Sequence, residues 1–219
     1  MTAEQHVYRQ LRAEILSGRL AGGIRLNQDE IAKRLGVSRT PVRHALRRLG
    51  SEGFITNRPN YGSVVTSLSS RDILELFEMR SLLEGFAASC SLANLTDADI
   101  GALLEMAERL DGLSLTSREW LKKHNKLHST ICGYAKRPML QQAAWELQQR
   151  TEPYVRLYLS DKKDTGSKRH RHITLINTLS RRNTEEVEQV MRMHVMSSAR
   201  GVIDLLASQE IRAAHDKHP

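Results

Sequence analysis

The chain has 219 residues, enough for one large or two modest domains with their own cores. Its apolar content of 40% is ordinary for a soluble protein, no apolar run approaches the ~20 residues of a membrane span, and "MTAEQHVYRQLRAEIL" lacks a signal-peptide core, so a cytoplasmic protein without a membrane partner is expected. The formal charge is +8, but residues 1–66 hold 11 Lys and Arg against 5 Asp and Glu, whereas residues 67–219 hold 22 against 20. A basic segment joined to a nearly neutral one suggests a nucleic-acid reader attached to something else; the alternative is a merely solvated basic surface.

In chain order, Val7 to Leu20 reads as an amphipathic helix with Val7, Leu11, Ile15 and Leu16 on one face, broken by "SGRLAGG". Asn27 caps a short helix over Gln28–Leu35, with Ile31, Ala32 and Leu35 inward, and Gly36 ends it. Ser38 caps the next helix, and Pro41 falls in its first turn, where a missing N–H is tolerated. Val42, Ala45, Leu46 and Leu49 form the buried stripe, which leaves Arg39, Arg43, Arg47 and Arg48 for other faces. Two short helices joined by a tight turn, the second with arginines toward its N-terminal end, have the form of a helix-turn-helix. "FITNRPNYGSVVTSL" reads as a two-stranded wing with Asn60-Tyr61-Gly62 at its tip.

"LNQDEIAKRLGVSRTPVRHALRRLGSEGFI" closely resembles the winged-helix domain of GntR-family transcriptional regulators. The resemblance implies that Arg39 and Arg43 contact operator bases or backbone, with Arg47 on the same DNA-binding helix. It also implies that Ser38 and Thr40 anchor phosphates and that Gly62 lets the wing approach the minor groove. The sequence departs from the family's pattern at His44 and Gln28, where Glu is usual, so operator sequence does not transfer from relatives.

"TSLSS" at 66–70 marks the boundary: a DNA-binding domain at 1–66, a linker at 67–70 and a helical domain at 71–219. Six helices and no strand are expected there: Arg71–Asn94, with Ile73, Leu76, Phe77, Leu83 and Phe86 among its apolar positions, Asp97–Leu110 capped by Thr96, Arg118–Ala135, Pro138–Ser160 with a kink or interruption at Pro153, Lys168–Ser180 and Thr184–Ala207. The fold class is therefore mainly α, a winged helix-turn-helix followed by an all-α bundle. Cys90 and Cys132, without CxxC spacing, fit small buried apolar residues in a reducing compartment.

Most of the nine histidines lie after residue 120. "WLKKHNKLHSTI" places His124 and His128 four apart on a stripe with Trp120, Leu127 and Ile131. His194 shares a stripe with Val187, Val190, Met191, Ser198 and Val202. His172 shares one with Leu175, Ile176 and Leu179, whereas His170 points elsewhere. His172 stands ten residues before Arg182 and His194 ten after Thr184, so in antiparallel neighbours both lie about 15 Å from the turn and are level. Four imidazoles then converge, enough for zinc or another divalent first-row metal; the alternative is four core histidines, each hydrogen-bonded to a neighbour.

This second domain resembles the FCD ligand-binding domain of FadR-type GntR regulators, in the shorter six-helix, VanR-like form. The resemblance implies a divalent metal held by His128, His172 and His194, and nitrogen ligands make Zn²⁺ or Ni²⁺ the expected ion. His124 stands where the family's "D-x-x-x-H" has its aspartate. "LFEMRSLLEGFAA" matches the family's "R-x-x-x-E" helix, which implies that Arg80 takes a small organic-acid effector; the alternative is an ion pair with Glu84. The expected protein is a homodimeric, ligand-responsive regulator of palindromic double-stranded operator DNA, commonly a repressor, and no enzyme. Two alternatives stand beside it. In one the metal ion is itself the signal. The other is a metallohydrolase, against which four imidazoles would close the coordination shell and no nearby Asp or Glu is an obvious base, Glu119 falling on a different face.

Overall fold

The computed structural model describes residues 2–58, 61–113, 118–160 and 172–215. The chain divides into two compact units, Met1–Ser69 and Ser70–Pro219.

The first unit begins with α1 (Ala3–Leu16), which starts earlier than the apolar stripe suggests because Thr2 and Gln5 form a capping box. It stops at Leu16 instead of Leu20, since Gly18 turns the chain at φ 75°. After β1 (Arg25–Leu26) come α2 (Gln28–Leu35) and α3 (Arg39–Ser51). The Asn27 side chain accepts from Asp29 N at 2.9 Å, and Gly36 ends α2 in the left-handed conformation at φ 64°. Ser38 occupies the N-cap position of α3, but its hydroxyl makes no cap hydrogen bond, contrary to the sequence expectation. The wing is β2 (Ile55–Arg58) and β3 (Gly62–Val65), antiparallel with Ile55 opposite Val65 and Arg58 opposite Gly62. It has a third strand, not two: β1 pairs with the other edge of β3, giving the order β1-β3-β2. Two residues are too short to display period-2 alternation, so β1 was invisible in the pattern. Val7, Leu11, Ile31, Val42, Leu46 and Leu49 are among the residues of one core. Asn60 lies outside the described residues.

In the second unit the described residues form helices only: α4 (Ser70–Ser91), α5 (Asp97–Asp111), α6 (Arg118–Gly133), α7 (Pro138–Ser160), α8 (His172–Ser180) and α9 (Thr184–His215). Thr96 and Asp99 form a capping box for α5. α7 runs through Pro153 as one helix. The expected start of the fifth helix at Lys168, and His170, lie outside the described residues. α4 packs against α6, α7 and α9, and α8 against α5 and α9. At the α4–α9 crossing Gly85 leaves no room for a side chain, because an added Cβ would stand 2.5 Å from Arg192 Cγ and 3.0 Å from the Glu188 carbonyl. The α8–α9 turn is pinned to α5: Arg182, at φ 56°, donates to the Leu95 carbonyl at 2.6 Å and pairs with Asp97 at 2.7 Å. Of the apolar positions of α4, Ile73, Leu76 and Phe77 are buried, whereas Phe86 is 43% exposed with the Arg137 guanidinium over its ring. Cys132 is buried, its thiol pushed upward in pKa by burial, and Cys90 is half-buried; both are free thiols.

Candidate metal centre and nucleic-acid interface

Four histidines from three helices meet inside the second unit. His124 and His128 come from α6, where a spacing of four stacks their rings at 4.3 Å between centroids. His172 opens α8 and His194 comes from α9, their rings 4.8 Å apart, the level pairing that the helix rise requires. One donor atom from each of the four lies within 4.8 Å of all the others. His128 Nε2 lies 3.2 Å from His194 Nε2. Zn–N bonds of about 2.0–2.1 Å place two nitrogens of a tetrahedral shell about 3.3 Å apart, so this pair already has shell spacing. The outermost pair must draw together to share an ion.

Each ring is oriented by its surroundings. His128 Nδ1 donates to Glu84 Oε2 at 2.6 Å, which turns the Nε2 lone pair of the neutral ring inward. His172 Nδ1 lies 2.7 Å from Asp111 Oδ1, leaving Nε2 as its ligating nitrogen. His124 stacks on Trp120 at 4.8 Å and reaches Asn125 Oδ1 at 3.3 Å through Nδ1. Burial, then the neighbouring imidazoles, holds the His124 pKa well below its ordinary value, and burial lowers that of His128. Neutral imidazole is the form that binds metal.

Arg80 and Glu84 are both buried, as an ion pair of 2.6 Å between Nε and Oε1. Arg80 also donates to Thr151 Oγ1 at 3.3 Å. Burial alone would raise the Glu84 pKa; Arg80, followed by His128, outweighs it and brings the carboxyl to about 2. The i,i+4 pair weighed against an effector role for Arg80 is therefore present, at the centre of the bundle. The space lined by Glu84, His128, Cys132 and Gln148 amounts to about 10 Å³, close to the minimum for one water.

Glu84 and Asp111 are the residues that pattern reading missed as partners of the histidines. Glu84 was visible only as a companion of Arg80. Asp111 ends α5, where an acidic side chain opposes the helix dipole, and that oddity was the available signal of a specific partner. Both carboxylates stand beside the imidazoles as orienting partners, which pattern reading did not place there. Each is bound to an imidazole Nδ1, and Glu119 pairs with Lys123 at the surface at 3.0 Å.

On the first unit, Ser38, Arg39, Thr40, Arg43 and Arg47 are all exposed. No acidic residue occupies the first turn of α3, so its positive dipole end is open toward an anion. Arg39 pairs with Asp29 at 2.9 Å, His44 stands 3.6 Å from Glu4, and Arg48 lies over the Tyr8 ring at 3.9 Å while bonding Glu52 at 3.1 Å. Arg48 is thus structural, whereas Arg43 and Arg47 have no ion-pair partner among the described residues. Gly62 has φ 92°, a conformation that disfavours any side chain, where β3 leaves the wing tip. Exposed Arg25 and Arg58 flank it, with the Arg25 guanidinium 5.3 Å from the Tyr61 ring centroid. These two basic wing residues were absent from the sequence reading, although both adjoin a turn-rich tip.

Comparison with known proteins agrees with this architecture. The profile described as "Bacterial regulatory proteins, gntR family" matches residues 3–65, and that of the FCD domain matches residues 75–197. The chain is 27% identical over 185 residues to the Nta operon transcriptional regulator of Aminobacter aminovorans, covering 84% of this chain and 87% of that protein. It is 24% identical over 200 residues to the HTH-type transcriptional repressor GlaR of Escherichia coli, covering 87% and 91%. Among solved structures, E. coli McbR/YncC superposes with a TM-score of 0.72 at 25% identity, covering 96% of this chain and 99% of that one.

Proposed function

The chain belongs to the GntR family of bacterial regulatory proteins and carries an FCD domain, and from that premise we propose that its FCD domain holds a divalent metal that receives a small carboxylate effector. The protein is a DNA-binding transcriptional regulator and not an enzyme. No helix among the described residues is long and apolar enough to cross a membrane, and a reader of bacterial operators works in the cytoplasm. Repression is the proposed sign of its action, as in GlaR, which is named a repressor. The proposed target is palindromic operator DNA bound by a homodimer through Ser38, Arg39, Thr40, Arg43, Arg47 and Gly62, because paired recognition helices meet equivalent half-sites.

The observation that carries the metal reading is the convergence of His124, His128, His172 and His194 within 4.8 Å, with two Nε2 atoms at 3.2 Å. Four nitrogen donors suit Zn²⁺ or Ni²⁺, and an ion that receives a carboxylate beside them is five- or six-coordinate. The charge balance around them is less positive than four isolated imidazoles suggest. The Glu84 carboxylate offsets Arg80, and Asp111 contributes a further negative charge beside His172. A divalent ion would still leave a net positive centre, which favours a carboxylate. The roughly 10 Å³ beside His128 is closed to such a ligand, so its admission requires side chains of α6 and α7 to move, and that movement is the proposed signal.

That same tight space favours a second reading, in which the ion alone is the effector. Elemental analysis of wild type and His128→Ala tests the metal, with loss of ion and of thermal stability expected in the variant. Thermal-shift screening against organic acids, with and without chelator, separates the readings: a chelator-sensitive shift with an acid supports the first, and a shift with metal alone supports the second. Wild-type protein that takes up neither zinc nor nickel would reduce the four histidines to core residues.

A further inference from the structure

We propose that the ion and its carboxylate partner enter along the seam between α6 and α7, and that the Trp145 side chain is the gate of this passage; this rests on the metal reading and says by which way the site is filled. On one face of α7, positions 141, 144, 145, 148 and 151 follow one another at i, i+3, i+4, i+7 and i+10, a single helical stripe. A stripe that packs against a neighbouring helix is normally apolar throughout. This one reads Gln141, Ala144, Trp145, Gln148 and Thr151. Its burial deepens along the chain: Gln141 is exposed, Trp145 is 38% exposed, and Gln148 and Thr151 are buried. At 1.5 Å per residue the stripe descends about 15 Å. It ends at Thr151, whose hydroxyl accepts from Arg80 at 3.3 Å.

Two cavities lie along this track with one wall between them. Outside is an open bowl of about 400 Å³, lined by Ser129, Pro138, Gln141, Gln142 and Trp145. Inside is the space of about 10 Å³ that reaches Glu84, His128 and Gln148. Ser129, Gln141 and Trp145 border both cavities, so they form the wall. Gln141 lies across α6, its Nε2 3.3 Å from where a side chain at Gly133 would begin. Trp145 is the bulkiest of the three, so a swing of its ring is the movement that joins the bowl to the inner space. The polar lining suits this traffic. The amides of Gln141 and Gln148 can exchange hydrogen bonds with a passing water or carboxylate, which an apolar seam cannot offer. Elsewhere around His124 and His128 the neighbours Trp120, Arg80, Leu127 and Ile131 are all buried, so the cover there is more than one side chain thick.

Zinc exchange in the full chain tests the gate. Stopped-flow mixing of metal-free protein with zinc gives the entry rate, and transfer of zinc-loaded protein into excess chelator gives the exit rate. Trp145→Ala should raise both rates about tenfold and leave the equilibrium affinity within about twofold of wild type, because clearing a passage lowers the barrier equally in both directions. Ala144→Leu, which fills the inner space, should slow both rates with an unchanged circular-dichroism spectrum. A purely structural role for Trp145 gives a different result: faster exit, weaker affinity and an unchanged entry rate. That result, unaltered rates in Trp145→Ala, or undiminished rates in folded Ala144→Leu overturns the passage while leaving the metal site in place. Wild-type protein that binds no zinc overturns the site itself, and the passage with it.

Discussion

Glu84 Oε2 lies 2.6 Å from His128 Nδ1, and the other oxygen of the same carboxylate lies 2.6 Å from Arg80 Nε. One buried side chain therefore links the arginine of α4 to the imidazole cluster of α6. It sets the tautomer of His128, supplies negative charge to the centre and occupies the guanidinium. Any ligand that draws Arg80 away from Glu84 also alters the ring that faces the other histidines.

The acid sensitivity of the fold should report this carboxylate. Its pKa falls from an ordinary 4.5 to about 2 in the folded protein. A depressed folded pKa contributes stability that is fully present above pH 4.5 and is lost as pH falls from there through 2. Acid unfolding followed by circular dichroism should steepen across that window in wild type and lose this component in Glu84→Gln. At neutral pH the variant should be less stable by ~3–5 kcal/mol, because Arg80 remains buried without its counter-charge.

Zinc affinity should respond to the two orienting carboxylates. Asp111→Asn should weaken zinc by roughly tenfold to a hundredfold, the usual consequence of removing a partner that fixes a ligating histidine. Its cost in stability should be smaller than that of Glu84→Gln, since the Asp111 side chain is 20% exposed and Glu84 is 2% exposed. Competition with a chromophoric chelator gives the affinity and thermal melts give the stability; equal zinc binding in wild type and Asp111→Asn would remove Asp111 from the site.

Arg43 and Arg48 should separate DNA binding from folding. Arg43→Ala should lower operator affinity and discrimination by ~1–3 kcal/mol if the side chain reads a base, with no change in melting. Arg48→Ala should lose about 1 kcal/mol of stability, from the Tyr8 stacking and the Glu52 bond. Gel shifts on specific and scrambled duplexes, beside thermal melts, give the comparison. A melting loss in Arg43→Ala with normal DNA binding would reverse the assignment.

The turn of the helix-turn-helix rests on Gly36 at φ 64°. Gly36→Ala should cost about 1–2 kcal/mol, since a Cβ in the left-handed region strains the backbone even though the space around it is open. Urea unfolding of this variant measures it, and a stability equal to wild type would show that the turn relaxes.

Much of the architecture was written locally. The stripes of Val42, Ala45, Leu46 and Leu49, and of Trp120, His124, Leu127, His128 and Ile131, depend only on helical spacing, and each of these residues is buried. Caps at Asn27 and Thr96 and the stop at Gly36 are likewise short-range chemistry. Even the level placement of His172 and His194 follows from counting residues on either side of one turn. Tertiary structure decided what spacing cannot encode. Contact between α1 and α3 placed Arg48 over the Tyr8 ring. Packing of α4 on α6 brought Glu84 to a histidine 44 positions later, and packing of α5 on α8 brought Asp111 to His172 across 61. β1 exists only because the edge of β3 accepts it. Periodicity reports which face of an element is buried; the identity of the side chain waiting there belongs to another element, and only the packed chain brings the two together.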